Sequence, residues 1–248
     1  MDKGGIVSYS YDIDLSNKVD TSIYCDVEDT STLDQLDRVD TIINLAAVHR
    51  DDVRPLSRYD DVNVQGAVNV CDAARKHGIN NIIFTSSVAI YGFASADTNE
   101  SGDANYFNDY GRTKYLAEQV YKEWQAEDSE NRILVIVRPT VIFGEGNRGN
   151  VYNLLKQISC GKFLMIGKGQ NKKSMAYVGN VVAFIKNRLQ KQELGFHVFN
   201  YVDKPDFNMN ELVSVVENKI KLKISKIKIP YCLGMIGGYF FDLFSFFT

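Results

Sequence analysis

The chain has no paired cysteines. Its four, Cys25, Cys71, Cys160 and Cys232, are scattered without a Cys-x-x-Cys spacing, which argues against zinc sites and a disulfide framework. Histidine is equally scarce: His49, His77 and His197 stand in unrelated contexts and form no metal cluster. No basic excess marks the chain as a whole. Charged residues make up 24% and the formal net charge is −3, so wholesale nucleic-acid binding is not implied. The first residues are polar and glycine-containing, not an apolar leader, so a reducing cytoplasm is the default compartment. Internal repeats and low-complexity tracts are missing too. The 248 residues suffice for one large domain, or for one with a small lobe.

What is present centres on Tyr110-Gly111-Arg112-Thr113-Lys114, taken with Thr85-Ser86-Ser87 upstream. Residues four apart share a helix face, so Tyr110 and Lys114 are expected side by side. A phenol with a pKa of about 10 is a poor base at neutral pH. A neighbouring ammonium favours the phenolate, as general acid–base work near neutrality requires. Ser87 is expected to end a strand, where α/β sheets present ligand-binding groups. The same spacing also fits a solvated helix face.

The surrounding pattern alternates. Strands are expected at 22–25, 39–47, 81–87, 133–138, 163–166 and 197–201, and helices near 30–36, 55–77, 109–127, 151–159, 178–189 and 208–220. The first twenty residues do not read as a regular element. Continuous apolar runs such as Val39–Ala47 and Ile133–Arg138 suit strands buried on both faces. The fold class expected is α/β, a doubly wound parallel sheet with a small C-terminal lobe. Along 55–77, Pro55 stands at the start and Gly78 just past the end. Leu56, Tyr59, Asn63, Ala67, Val70 and Ala74 recur at helical spacing, which puts a polar Asn63 in the core-facing stripe. A buried amide must find partners.

Ser-Ser-Val-Ala-Ile-Tyr-Gly (86–92), Tyr110 with Lys114, and Arg138-Pro139-Thr140 together resemble the extended short-chain dehydrogenase/reductase family. Within it they are most similar to the NAD-dependent epimerases of nucleotide sugars, of the UDP-glucose 4-epimerase kind. The resemblance runs from about Cys25 to the C-terminus. It implies a Rossmann-like domain at 1–145 that binds NAD and a lobe at 146–248 that mainly binds substrate. Ser87, Tyr110 and Lys114 become the catalytic set. Asp26 and Val27 would lie against the adenine, although Asp26 also fits a turn or cap. Leu45, Ala46 and Ala47 would pass beneath the cofactor, with Asn63 bracing the site and Pro139, Tyr110 and Lys114 on the nicotinamide side. Ser87, Arg148, Asn150, Val151 and Lys173 would face a nucleotide-diphosphate sugar. A homodimer is compatible with the family; nucleic acid and membrane are not expected partners.

Three features depart from that pattern. A dinucleotide-binding sheet opens with strand, Gly-x-x-Gly-x-x-Gly and helix, the pyrophosphate sitting on the helix N-terminus. Gly4-Gly5 has neither the preceding strand nor the spacing, so the chain reads as starting after the first βα unit: a truncated reading frame, a fragment or a degenerate copy. These residues alone are therefore expected to hold NAD weakly, since each lost amide bond to a charged group is worth about 1.5–3 kcal/mol. Gly144-Glu145-Gly146-Asn147-Arg148-Gly149 matches G-x-G-x-x-G, but no acid lies between Gly146 and Gln192 to bind a ribose. That span instead carries nine bases, which suits a diphosphate as well as it suits a solvated basic face. Finally, Ser174-Met175-Ala176-Tyr177-Val178 stands where similar epimerases often carry Arg-Asp-Tyr. Lys172 or Lys173 lacks the arginine fork.

The function expected is nucleotide-sugar 4-epimerisation, in polysaccharide or sugar-nucleotide biosynthesis. A reductase or dehydratase of the same superfamily is the alternative; Val88-Ala89, where dehydratases commonly carry Asp-Glu, counts against dehydration. A non-catalytic remnant is the third reading. The apolar stretch 231–248 is expected to pack as a helix, its Asp242 being costly inside a bilayer.

Overall fold

The structure is a computed structural model describing residues 10–12, 22–95, 97–221 and 228–235. It divides into two compact units, 1–139 with 184–200, and 140–183 with 201–248. Residues 184–200 thus return to the first unit.

In the first unit, β1 (Ser10–Asp12) and β2 (Ser22–Tyr24) pair parallel as a two-stranded ribbon. A 3-10 turn, Thr32–Leu36, follows. The main sheet has the order β3-β4-β5-β9, with β3 (Ile42–Asn44), β4 (Asn81–Thr85) and β5 (Ile133–Pro139) parallel and β9 (Gly195–Tyr201) at the edge beside β5. Strand side chains alternate faces. Ile42, Ile82, Phe84, Leu134 and Ile136 accordingly share one core cluster with Ala67, Val70 and Ala74 of one helix and Ala117, Tyr121 and Trp124 of the next. On β4 and β5 the opposite face, Ile83, Val135 and Val137, is buried as well. Those strands are apolar without alternation because both faces leave water.

The helix expected from Pro55 is a composite: α1 (Ser57–Tyr59), a π-helical segment Asp60–Gln65, and α2 (Gly66–His77). Gly78, at φ 66°, closes it in the left-handed conformation that glycine adopts freely. The core-facing stripe is buried from Tyr59 to Ala74, whereas Leu56 is 48% exposed. The helix α3 (Asp109–Ala126) starts at Asn108, whose side chain accepts from the Gly111 amide at 2.9 Å.

The second unit holds β6 (Val141–Phe143), α4 (Asn150–Ser159), β7 (Met165–Ile166) and β8 (Lys172–Tyr177). The helix α5 (Val178–Lys191) carries the chain from this unit into the first, and β10 (Asp203–Asn208), α6 (Met209–Ile220) and β11 (Lys228–Ile229) complete the second. Here β8 pairs parallel with β6 and antiparallel with β10, and β7 pairs parallel with β11. Ile158, Phe163, Met165, Met209 and Leu212 form this unit's core.

Several expectations are corrected. The strand at 39–47 shrinks to Ile42–Asn44, past which the Asn44 side chain takes up a backbone amide in place of a neighbouring strand. Its Oδ1 accepts from the Ala46 amide at 2.9 Å and its amide donates to the Tyr121 hydroxyl at 2.6 Å. The first twenty residues do contain a strand, β1, while Gly4-Gly5 lies outside the described residues. β6, β8 and β10 were not expected: Lys-Lys-Ser-Met-Ala-Tyr and Asp-Lys-Pro-Asp-Phe-Asn show too little apolar alternation to announce a strand. Of the stretch 231–248, residues 236–248 lie outside the described residues. Among the described residues no helix is long and apolar enough to cross a membrane.

Candidate active site

β4 delivers the chain to the site and stops at Thr85. Ser87 then adopts an extended conformation and caps a 3-10 turn, Val88–Tyr91, its Oγ accepting from the Ala89 amide at 3.1 Å. The first turn of α3 must come against this turn to bring Tyr110 beside Ser87. Gly111 permits it: a Cβ there would stand 2.6 Å from the Ala89 carbonyl oxygen. Gly92 plays the same part at the other end, since its Cβ would meet the Asn105 carbonyl oxygen at 2.0 Å and its φ is +60°. The Asn105 amide donates to the Ile90 carbonyl at 2.8 Å, pinning the neck of the loop.

Burial pushes the Tyr110 phenol above its ordinary value, and a hydrogen bond with Ser87 draws it partly back. The Lys114 side chain is 2% exposed and its ammonium stands 4.2 Å above the centre of the Phe84 ring. It forms no hydrogen bond among the described residues. Burial lowers its pKa from 10.5 to about 7, with the Glu118 carboxylate one turn further on opposing the fall. A buried amine with unused donors suits a bound polyol, such as the ribose of a dinucleotide, so the residues present fit NAD at its nicotinamide side.

The other expected positions divide sharply. Asn63 is 4% exposed and fully engaged: its oxygen accepts from the Val48 amide at 2.7 Å, and its nitrogen donates to the Val48 carbonyl at 3.0 Å and to Thr113 Oγ1 at 2.9 Å. It braces the segment after β3 against the residue before Lys114. Ala46 and Ala47 are half-buried and Leu45 is 62% exposed. Asp26 does act as a turn residue, its Oδ1 accepting from the Glu28 amide at 2.9 Å. Val27 packs on the helix start, close enough that a Cβ on Gly66 would meet its Cγ2 at 2.8 Å. Pro139 ends β5 buried. In the second unit Arg148 and Asn150 are exposed, Lys173 is half-buried, and Val151 is 2% exposed, so its side chain packs in the interior.

Sequence reasoning missed the support beneath Lys114. Glu118 and Arg138, 0% and 4% exposed, form a bidentate pair at 2.8 and 2.6 Å. Arg138 also donates to the Tyr91 hydroxyl at 2.5 Å and to the Glu100 carbonyl at 3.1 Å. Tyr91 donates onward to Asn200 Oδ1 at 2.9 Å, and the Asn200 amide donates to Glu100 Oε1 at 2.7 Å. The available signal was an arginine inside an apolar strand, which needs an acid.

A sheet of parallel strands with Ser87 and Tyr110 meeting past one strand end, and a lysine buried over Phe84, fits a dinucleotide-dependent oxidoreductase-type site. The chain belongs to the NAD-dependent epimerase/dehydratase family, whose model matches residues 6–201, and the family's cofactor is NAD. It is 57% identical over 221 residues to an N-acetyl-alpha-D-glucosaminyl-diphospho-ditrans,octacis-undecaprenol 4-epimerase of Escherichia coli O157:H7, covering 89% of this chain and 67% of that protein. It is 29% identical over 199 residues to a UDP-glucose 4-epimerase of Vibrio cholerae, covering 76% of this chain and 58% of that one. In fold it matches a UDP-glucuronic acid 4-epimerase of Bacillus cereus solved with NAD, with a TM-score of 0.73 at 20% identity, over 85% of this chain and 69% of that one.

Proposed function

We propose that the protein inverts C4 of a sugar carried on a diphosphate ester, with N-acetylglucosamine on a polyprenyl diphosphate as its substrate. The observation that carries the proposal is the meeting of Ser87 with Tyr110 on the helix that, one turn on, buries Lys114 over Phe84. The 57% identical relative named for such a lipid-linked sugar supports the substrate class. When bound, NAD supplies a reversible hydride acceptor for the carbon being inverted.

The chain's own residues handle the protons. Tyr110, as its phenolate, takes the proton of the 4-hydroxyl and, as the phenol so formed, returns it after the sugar presents its other face. Ser87 steadies the phenolate that begins and ends this exchange, because hydrogen bonding to the charged form favours it. Lys114, with a pKa of about 7, is divided between charged and neutral forms near neutrality, so binding of a polyol on its amine can set its charge at little cost. Asn63 holds the backbone around both. Asp26, Val27, Ala46 and Ala47 lie along the adenine and central parts of the cofactor path. Arg148, Asn150 and Lys173 are the candidate contacts to the diphosphate and beyond, which makes the second unit the substrate-binding part.

A nucleotide sugar is the second reading, favoured by the UDP-glucose 4-epimerase relative. The test is product analysis with the purified protein at millimolar NAD. Conversion of the polyprenyl-linked N-acetylglucosamine to its galacto epimer is expected. Turnover of UDP-N-acetylglucosamine alone would transfer the reading to nucleotide sugars, and net reduction of either substrate would refute epimerisation.

A further inference from the structure

The loop between the Ser87 turn and α3 carries a feature that proton transfer does not use. Phe93 and Phe107 stack at its two ends, with ring centres 4.8 Å apart and planes 25° from parallel. They are 86% and 59% exposed, and the adjoining Tyr106 is 40% exposed. Two phenyl rings held together in water form an apolar patch, which marks a contact site more often than an isolated ring does. The patch is rigidly mounted. Gly92 and Asn105 pin the neck below it, and the far turn is tied down through Glu100, which reaches Asn200 and Arg138, and through Thr98, whose carbonyl accepts from the Asn200 side chain at 3.4 Å.

The sequence fixes where this patch stands relative to the chemistry. Phe93 follows Ser87 by six residues and Phe107 precedes Tyr110 by three, so the rings stand on the loop that joins the two hydroxyl-bearing segments. An apolar patch there suits a substrate whose carrier is hydrocarbon. We infer that the Phe93–Phe107 pair is the seat for the isoprene units nearest the diphosphate of a polyprenyl-linked sugar. This rests on the lipid-linked reading of the substrate.

Removing the equivalent of two methylenes from water against the rings is enough for about tenfold in affinity. The probes are the farnesyl and methyl esters of N-acetylglucosamine 1-diphosphate, with UDP-N-acetylglucosamine as a third ligand, titrated calorimetrically into the purified chain. The wild type is expected to bind the farnesyl ester at least about tenfold more tightly than the methyl ester. In the Phe93→Ser/Phe107→Ser double variant that ratio should fall to about one, with methyl-ester affinity unchanged. Phe93→Leu/Phe107→Leu should retain it. Because both rings are exposed, the serine variant should melt with the wild type. A farnesyl preference that survives the serine variant would overturn the seat and leave the lipid-linked reading standing. No farnesyl preference in the wild type, with UDP-N-acetylglucosamine bound more tightly, would overturn both, as would failure to bind either ester.

Discussion

Lys114→Met should stabilise the fold while removing activity. The ammonium is buried and lacks a hydrogen bond, and its nearest opposite charge, Glu118, is already committed to Arg138 at 2.6 Å. Its pKa of about 7 in the fold, against 10.5 when exposed, states the cost: at about 1.36 kcal/mol per pH unit this is roughly 5 kcal/mol. The sign follows from linkage. Between pH 7 and 10.5 the unfolded chain holds a proton that the folded chain has released, so wild-type stability rises with pH through this window. Below pH 7 both states are protonated and the penalty is complete. Methionine fills a similar volume without charge and leaves the Glu118–Arg138 pair intact. Urea unfolding at pH 6 should therefore show the variant more stable by several kcal/mol, with the difference closing toward pH 10. An unchanged midpoint at pH 6, or an equal pH slope in the two proteins, would show that Lys114 is solvated in the fold and that the reasoning is wrong.

Three further outcomes are expected. Tyr110→Phe should abolish most turnover with NAD affinity nearly unchanged, because only the proton-transfer hydroxyl is lost; steady-state rates and an NAD titration check both halves. Arg138→Met should destabilise by about 3–5 kcal/mol in urea, since it strands the fully buried Glu118 carboxylate, and Glu118→Gln on that background should recover part of the loss. Gly92→Ala should lower stability by more than 1 kcal/mol or so, through its positive φ and the collision with the Asn105 carbonyl. It should also reduce turnover through the displaced neck of the loop; a variant with wild-type melting and rate would show that the neck is not rigid.

The elements around the site were legible because their signals are local. Ile-Ile-Phe and Ile-Leu-Val-Ile-Val could only be strands with both faces covered, and the stripe from Tyr59 to Ala74 could only be one face of a helix. Asn63 was recognisable as a buried amide because it interrupts that stripe. Tyr110 and Lys114 declare their helix by spacing, and Gly78 marks the end of the helix before it. The shallow strands of the second unit were not legible: a ladder is closed by partners distant in sequence, and β8 meets β10 and β6 only in the fold.

Tertiary structure also decided what the site residues do. Spacing placed Tyr110 and Lys114 on one face of α3, but the path of β4 beneath that helix decided that the amine would lie over Phe84 and the phenol beside Ser87. The charge of Glu118 gave no local sign that it would be sealed against Arg138, because a solvated glutamate and a buried one look alike in a helix. Phe93 and Phe107 are separated by a long polar loop, and only the pinning of Ile90 to Asn105 makes them one surface. Side-chain types and their periodicity settled which groups the chain could offer. Burial and the meeting of distant segments settled their charge states and their neighbours, since both depend on the water that the whole fold excludes.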